Sequence, residues 1–166
     1  MEILAIIDIV VMKYLFDKFP QATSGQLSWA RSRCVCAPAL AAVAIKRLGM
    51  HKSALINNVA LSSAINRYVP VMEAITFQDI VDKGWKHDPP KAISDVMESI
   101  LGAVLVDSAW NFDVAAAVTE FVLSDVLEVL TPTLRKDPVS DLMIWTSSSG
   151  CRRITFQYVP SKFSAS

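Results

Sequence analysis

Residues 90–108 read Pro90-Lys91-Ala92-Ile93-Ser94-Asp95-Val96-Met97-Glu98-Ser99-Ile100-Leu101-Gly102-Ala103-Val104-Leu105-Val106-Asp107-Ser108. Val96, Met97, Ile100, Leu101, Val104 and Leu105 recur at helical spacing, and proline is favoured in the first turn of a helix. The stretch therefore predicts a helix from Pro90 or Lys91 to about Asp107, buried on most sides. Asp95 and Glu98 are three residues apart, so they leave the same face of that helix. Two carboxylates in so apolar a setting need partners. A Mg²⁺ ion is one suitable partner, since it takes hard oxygen ligands and often uses one or two carboxylates with phosphate oxygens and water. The plainer alternative pairs Asp95 with Lys91, four residues earlier, and turns Glu98 to solvent. Spacing alone favours the plainer one. Gly102, one turn beyond Glu98, permits close approach of another helix.

Outward from this helix the chain continues to read as helix. Residues 1–19 form a first one, ended by Pro20. Thr23-Ser24-Gly25 offers a cap, and 26–48 follows as helix until Gly49, with a kink or break near Cys36-Ala37 because Pro38 lies inside it. A short helical piece is expected over 52–56. Residues 62–83 read as one helix bent at Pro70 and ended by Gly84, and 111–130 as another, ended by Thr131-Pro132. Up to residue 135 the class is all-α. Beyond Pro138, Val139–Trp145 reads as a short helix and Ser147–Gly150 as a turn. Arg152–Val159 alternates like a strand, with Ile154, Phe156 and Tyr158 on one face and Arg153, Thr155 and Gln157 on the other. A lone strand cannot satisfy its backbone. The expected organisation is thus one helical domain over 1–135, with the partial start of a second domain or a linker over 136–166.

Composition sets bounds. The chain has 166 residues, 52% of them hydrophobic, with Lys+Arg and Asp+Glu balanced at 16 each. That balance excludes bulk electrostatic attraction to nucleic acid, and the mean hydropathy of +0.37 is high enough to suggest a surface meant for a partner. Cys34, Cys36 and Cys151 make no disulfide framework and have no zinc spacing; they fit a reducing, intracellular compartment, cytoplasm or nucleus. The apolar N-terminal stretch contains Glu2 and Asp8, lacks a basic flank, and has no run near the roughly 20 residues that cross a bilayer. It reads as a core helix, with no membrane partner.

The letters around Asp95 carry a resemblance. Lys91-x-x-x-Asp95-x-x-Glu98-Ser99-x-x-Gly102-Ala103-x-x-x-Asp107 resembles the second conserved block of ribonuclease III domains throughout its length. The proline before Lys91 and the ending Val106-Asp107-Ser108-x-Trp110 resemble the second, C-terminal, ribonuclease III domain of Dicer-like proteins of fungal type. Leu15-Phe16-Asp17-Lys18-Phe19-Pro20, then Gly25-Gln26-Leu27-Ser28-x-x-Arg31-Ser32, Leu40-Ala41-x-x-Ala44 and Phe77-Gln78-Asp79 are similar to other family segments. The likeness covers about 2–130. Val139-Ser140-Asp141-Leu142 is similar to the opening helix of a double-stranded RNA-binding domain, with Arg152–Val159 as its first strand.

The resemblance implies a ribonuclease III helical fold and a metal-dependent endoribonuclease acting on double-stranded RNA in RNA silencing or processing. It implies Mg²⁺ or Mn²⁺ held by acidic side chains. Asp95 and Glu98 fall on two metal positions, and Lys91 sits a turn away, placed to hold phosphate or a neighbouring carboxylate. It also implies pairing with a second ribonuclease III domain, within a full-length protein or as a homodimer, through a surface that the first helix lines. One departure stands out. Without a gap, Leu4 falls where the signature block has its catalytic aspartate; with a two-residue deletion the Gly-Asp pair disappears. The upstream glutamate of that block falls before the first residue, Asp8 matches a later aspartate outside the metal set, and Glu2 is the one stand-in. The alternative function is therefore a catalytically impaired ribonuclease III-like module that pairs or docks RNA. Lys86, His87 and Lys91 form one candidate phosphate patch; Arg152, Arg153 and Lys162 form another.

Overall fold

The computed structural model describes residues 3–132, 138–150 and 155, and every regular element among them is helical. This is the all-α class that the periodicity predicts. The chain divides into two compact units, Met1–Arg135 and Lys136–Ser166. The strand expected over Arg152–Val159 lies outside the described residues, apart from Thr155, which belongs to no element.

The first helix, α1 (Ile3–Lys18), buries Ile7, Val10, Val11 and Leu15, a stripe at helical spacing. Each such side chain contributes on the order of 1.5–3 kcal/mol when fully withdrawn from water. Among the described residues no helix is long and apolar enough to cross a membrane. Next, α2 (Ser24–Cys34) starts on a capping box. Gln26 N donates to Thr23 Oγ1 at 3.3 Å and Thr23 N donates to Gln26 Oε1 at 2.8 Å, so two otherwise orphaned donors satisfy each other's residues. The break expected near Cys36 is real. Pro38 lies in the first turn of α3 (Ala37–Ala42), where its missing N–H costs nothing. That helix runs on through a wide turn, Val43–Arg47, and Ala39 to Ile45 are all buried. They form the central rod of the core. Gly49, at φ +61°, stops it in a conformation that favours glycine.

Two expectations are corrected. The short piece predicted over 52–56 is α4 (Met50–Ser53), and residues 54–58 have no regular structure. The single helix predicted over 62–83 is two, α5 (Val59–Ala74) and α6 (Phe77–Lys83). Pro70 sits inside α5 without ending it. The chain breaks at Ile75-Thr76 instead, because Thr76 caps the next helix, its Oγ1 accepting from Asp79 N at 3.1 Å. The carbonyls left open at the end of α5 are taken by one ammonium. Lys46 Nζ donates to Met72 O, Glu73 O and Ile75 O at 3.1, 3.2 and 2.6 Å.

After a tight turn at Gly84–Lys86 comes α7 (Lys91–Asp107). It buries Ile93, Met97, Leu101 and Leu105 at four-residue spacing and packs against α1, α3 and the next helix. Ala109 and Trp110 reverse the chain at φ 55° and 65°, a backbone region sparsely used by residues other than glycine. Asn111 Oδ1 then accepts from Asp113 N and Val114 N at 3.1 and 3.3 Å, opening α8 (Phe112–Val129). The far end of α8 is held by α1, as Lys18 Nζ donates to Leu127 O and Glu128 O, both at 3.0 Å. A cation at a helix C-terminus also opposes the helix dipole favourably.

The second unit contains α9 (Pro138–Ser148). Its Val139, Leu142, Met143, Ile144 and Trp145 are exposed, while Thr146 is buried and donates back to Leu142 O at 2.8 Å.

Candidate active site

The helix quoted at the outset, α7, positions the candidate residues by its own regularity. Its core face carries Ile93 and Met97, while Asp95 and Glu98 lie on the flank, each half-buried. Lys91 is the first residue of α7, and its Nζ donates to both Asp95 oxygens at 2.7 Å. The Lys91 side chain is 85% exposed and that of Asp95 45%. The polar side chains between them are satisfied locally: Ser94 Oγ donates to Lys91 O at 2.8 Å and Ser99 Oγ to Asp95 O at 2.9 Å. The hydrogen bond to Asp95 and that residue's charge hold the Lys91 ammonium above its usual pKa, and the charge of Glu98 adds to them. Among the described residues Glu98 has neither a hydrogen bond nor an ion pair.

The helix is therefore less enclosed around its carboxylates than its composition predicts. They sit at the edge of the core, and the lysine partner that spacing alone favours is in place. The donor set suits a hard divalent cation in kind but supplies half of what the family resemblance implies. Among the described residues no group of three or more His, Cys, Asp or Glu is arranged to hold an ion. Asp8, which the resemblance leaves outside the metal set, accepts from Arg31 Nη1 at 2.9 Å. Glu2 lies outside the described residues.

The candidate phosphate patch is rearranged. Lys91 is engaged by Asp95, and His87 instead lines a cleft of about 470 Å³ between α5 and the 87–90 loop, together with Arg67, Tyr68 and Asp88. Arg67 is exposed and has no hydrogen bond or ion pair among the described residues. No sequence pattern points to Arg67, which is brought to His87 only by the packing of α5. The Tyr68 hydroxyl is buried without a hydrogen-bond partner, and burial pushes its pKa up, with the charges of Cys36 and Asp88 adding. The patch of Arg152, Arg153 and Lys162 lies outside the described residues. Burial also pushes both the Cys34 and Cys36 thiols up, which opposes any role as a thiolate nucleophile.

A second concavity, of about 730 Å³, runs between α1 and α8. Ile9, Val10, Tyr14 and Phe112 give it apolar walls; on the α1 side Lys13 is paired with Asp17 at 2.7 Å and Lys18 reaches the end of α8, while Asp113 and Glu120 stand on the α8 side. Ile9 is 56% exposed.

Compared with known proteins, residues 4–109 match the family model of the ribonuclease III domain. That segment runs from the first turn of α1 to the end of α7 and includes Lys91, Asp95 and Glu98. Over 94 residues the chain is 33% identical to Protein Dicer of Schizosaccharomyces pombe (strain 972 / ATCC 24843), a stretch covering 55% of this chain. The chain spans 7% of the length of that relative. No solved structure matches it.

Proposed function

The chain belongs to the ribonuclease III domain family, and on that premise we propose that it is a domain of a divalent-metal-dependent endoribonuclease that cuts double-stranded RNA. Asp95 and Glu98 are then the ligands this chain contributes to Mg²⁺ or Mn²⁺, and Lys91 is the cation beside them. The observation that carries this reading is that one unbroken helix within the matched segment sets all three on a single half-exposed flank. A divalent ion at such a site activates water and stabilises charge on the leaving oxygen of a phosphodiester. The chain's own groups do the rest. Asp95 and Glu98 would hold the ion together with phosphate oxygens and water, and Lys91 would reach a phosphate from its flexible stem. Arg67 and His87, which share the cleft beside the 87–90 loop, add contacts to the RNA backbone. Duplex RNA is recognised by shape and backbone rather than by base edges, which suits a chain of balanced charge whose cations act locally.

The partner is a second ribonuclease III domain, in the same full-length protein or in another copy, and the α1–α8 face is the surface proposed for it. Residues 136–166 are proposed as the start of a double-stranded RNA-binding module, and the setting as intracellular RNA processing. A second reading, an impaired module that pairs and docks RNA without cutting it, is favoured by Leu4 falling where the family's signature block has its aspartate.

Substrate class tests the first reading. Long duplex RNA, either strand alone, and a DNA duplex are each incubated with the chain and Mg²⁺, and the expected product comes from duplex RNA only. Equal cleavage of the single strands contradicts the proposal. Binding of duplex RNA without product selects the second reading.

A further inference from the structure

We propose that Lys91 is a built-in counter-cation that occupies Asp95 ahead of any divalent ion, so that metal entry requires the ammonium to leave the carboxylate. The inference rests on the metal role given above to Asp95 and Glu98. Its basis is the position of one nitrogen: Lys91 Nζ lies 2.7 Å from both oxygens of Asp95 and within reach of the charge of Glu98. Those are the oxygens a divalent cation would coordinate at about 2.0–2.1 Å. Two cations cannot share them at such distances without strong repulsion, so ammonium and metal compete.

The clasp is also easy to open. The lysine side chain is 85% exposed and joins a carboxylate 45% exposed, and solvent-exposed ion pairs within one helical turn are weak. The competition therefore lowers metal affinity by about two- to fivefold rather than by orders of magnitude. Once free, the ammonium has four carbons of flexible stem with which to find a new anion, and a substrate phosphate beside the site supplies one. A phosphate that draws Lys91 away clears Asp95 for the metal, and a bound metal frees Lys91 for the phosphate. Each ligand strengthens the other by the same factor. Lys91 is thus a positioning residue that makes metal and RNA binding cooperative.

The test is Mn²⁺ affinity, read from the electron paramagnetic resonance of the free ion, with the whole chain and no cleavage readout. Wild type is compared with Lys91→Met, Lys91→Arg, Asp95→Asn and the double variant Lys91→Met/Asp95→Asn, after circular dichroism shows each to be folded. Lys91→Met is expected to bind Mn²⁺ about two- to fivefold more tightly than wild type, and Lys91→Arg no more tightly than wild type. The gain is expected to vanish in the double variant. Equal or weaker Mn²⁺ binding by Lys91→Met overturns the clasp, while carboxylate-dependent binding in wild type would leave the metal site standing. Mn²⁺ binding indifferent to Asp95→Asn overturns both.

Discussion

Asp95 meets Lys91 across one helical turn, while Glu98, in the next turn, has no partner among the described residues. The two carboxylates therefore differ in what their removal does to the fold. Asp95→Asn gives up an exposed ion pair and is expected to change stability by less than about 1 kcal/mol. Glu98→Gln gives up no contact and should stay within about 0.5 kcal/mol of wild type. Urea titrations check both values. Tyr68 is the converse case, a buried hydroxyl with no partner, whose replacement by phenylalanine is expected to be neutral or stabilising. Arg67, free on the surface beside His87, is expected to act on RNA alone. Arg67→Ala should lower the slope of log affinity against log salt for duplex RNA by about 1, as loss of one phosphate contact does. An unchanged slope removes Arg67 from the interface. At this scale the sequence spoke unevenly. That Asp95 and Glu98 share one flank of a helix was legible from their spacing, whereas the meeting of Arg67 with His87 was not, because it is made by tertiary packing.

At the scale of elements, lysines and caps hold helix ends in place. Lys46 closes three carbonyls at the end of α5 and stands 5.6 Å from the centre of the Phe77 ring. Lys46→Met is expected to cost about 1.5–3 kcal/mol, in keeping with a half-buried charged donor, and to speed amide exchange first in α5 and α6. Thr76 opens α6, and Thr76→Ala should cost about 1 kcal/mol. This cap has a pH signature. The Thr76 hydroxyl donates to Asp79 Oδ2 at 2.7 Å, holding that carboxyl below its ordinary value of 3.8. The folded state thus favours the ionised form. Its contribution is fully present above pH 3.8 and is lost as pH falls through the lower folded value, so Thr76→Ala should narrow the stability gap to wild type in that acid window. These features also explain where the periodicity misled. Pro70 looked like the place to bend, since proline removes a donor, yet α5 absorbs it. The true break follows from Thr76-x-x-Asp79, a short polar cap signal that a long apolar run concealed. Pro38, by contrast, marked its break correctly, because there it begins a helix.

For the whole molecule, the core is one cluster in which the buried rod of α3 and the wide turn after it meet α7, while α1 packs on α7 and α8. Met97, fully buried at this centre, should cost about 2–5 kcal/mol when cut to alanine. The all-α class could be read from spacing because burial on one stripe repeats through every long helix. The pairing of α1 with α8 could not, since it is set by contacts far apart in the chain, such as Lys18 with the end of α8. That pairing forms the groove proposed for a second ribonuclease III domain. Ile9→Asp, placed on an apolar wall that is already exposed, is expected to leave the fold intact and to shift sedimentation of the chain towards monomer; unchanged association moves the interface elsewhere.

Asp95 and Glu98 are proposed to hold the metal with which this domain cuts duplex RNA. Cleavage of long duplex RNA in Mg²⁺ by wild type, Asp95→Asn and Glu98→Gln, all shown to be folded, tests it most directly. Each substitution is expected to lower the cleavage rate by about a hundredfold or more, the scale of losing about 2.7 kcal/mol of transition-state stabilisation. Product that persists at the wild-type rate in both variants would contradict it.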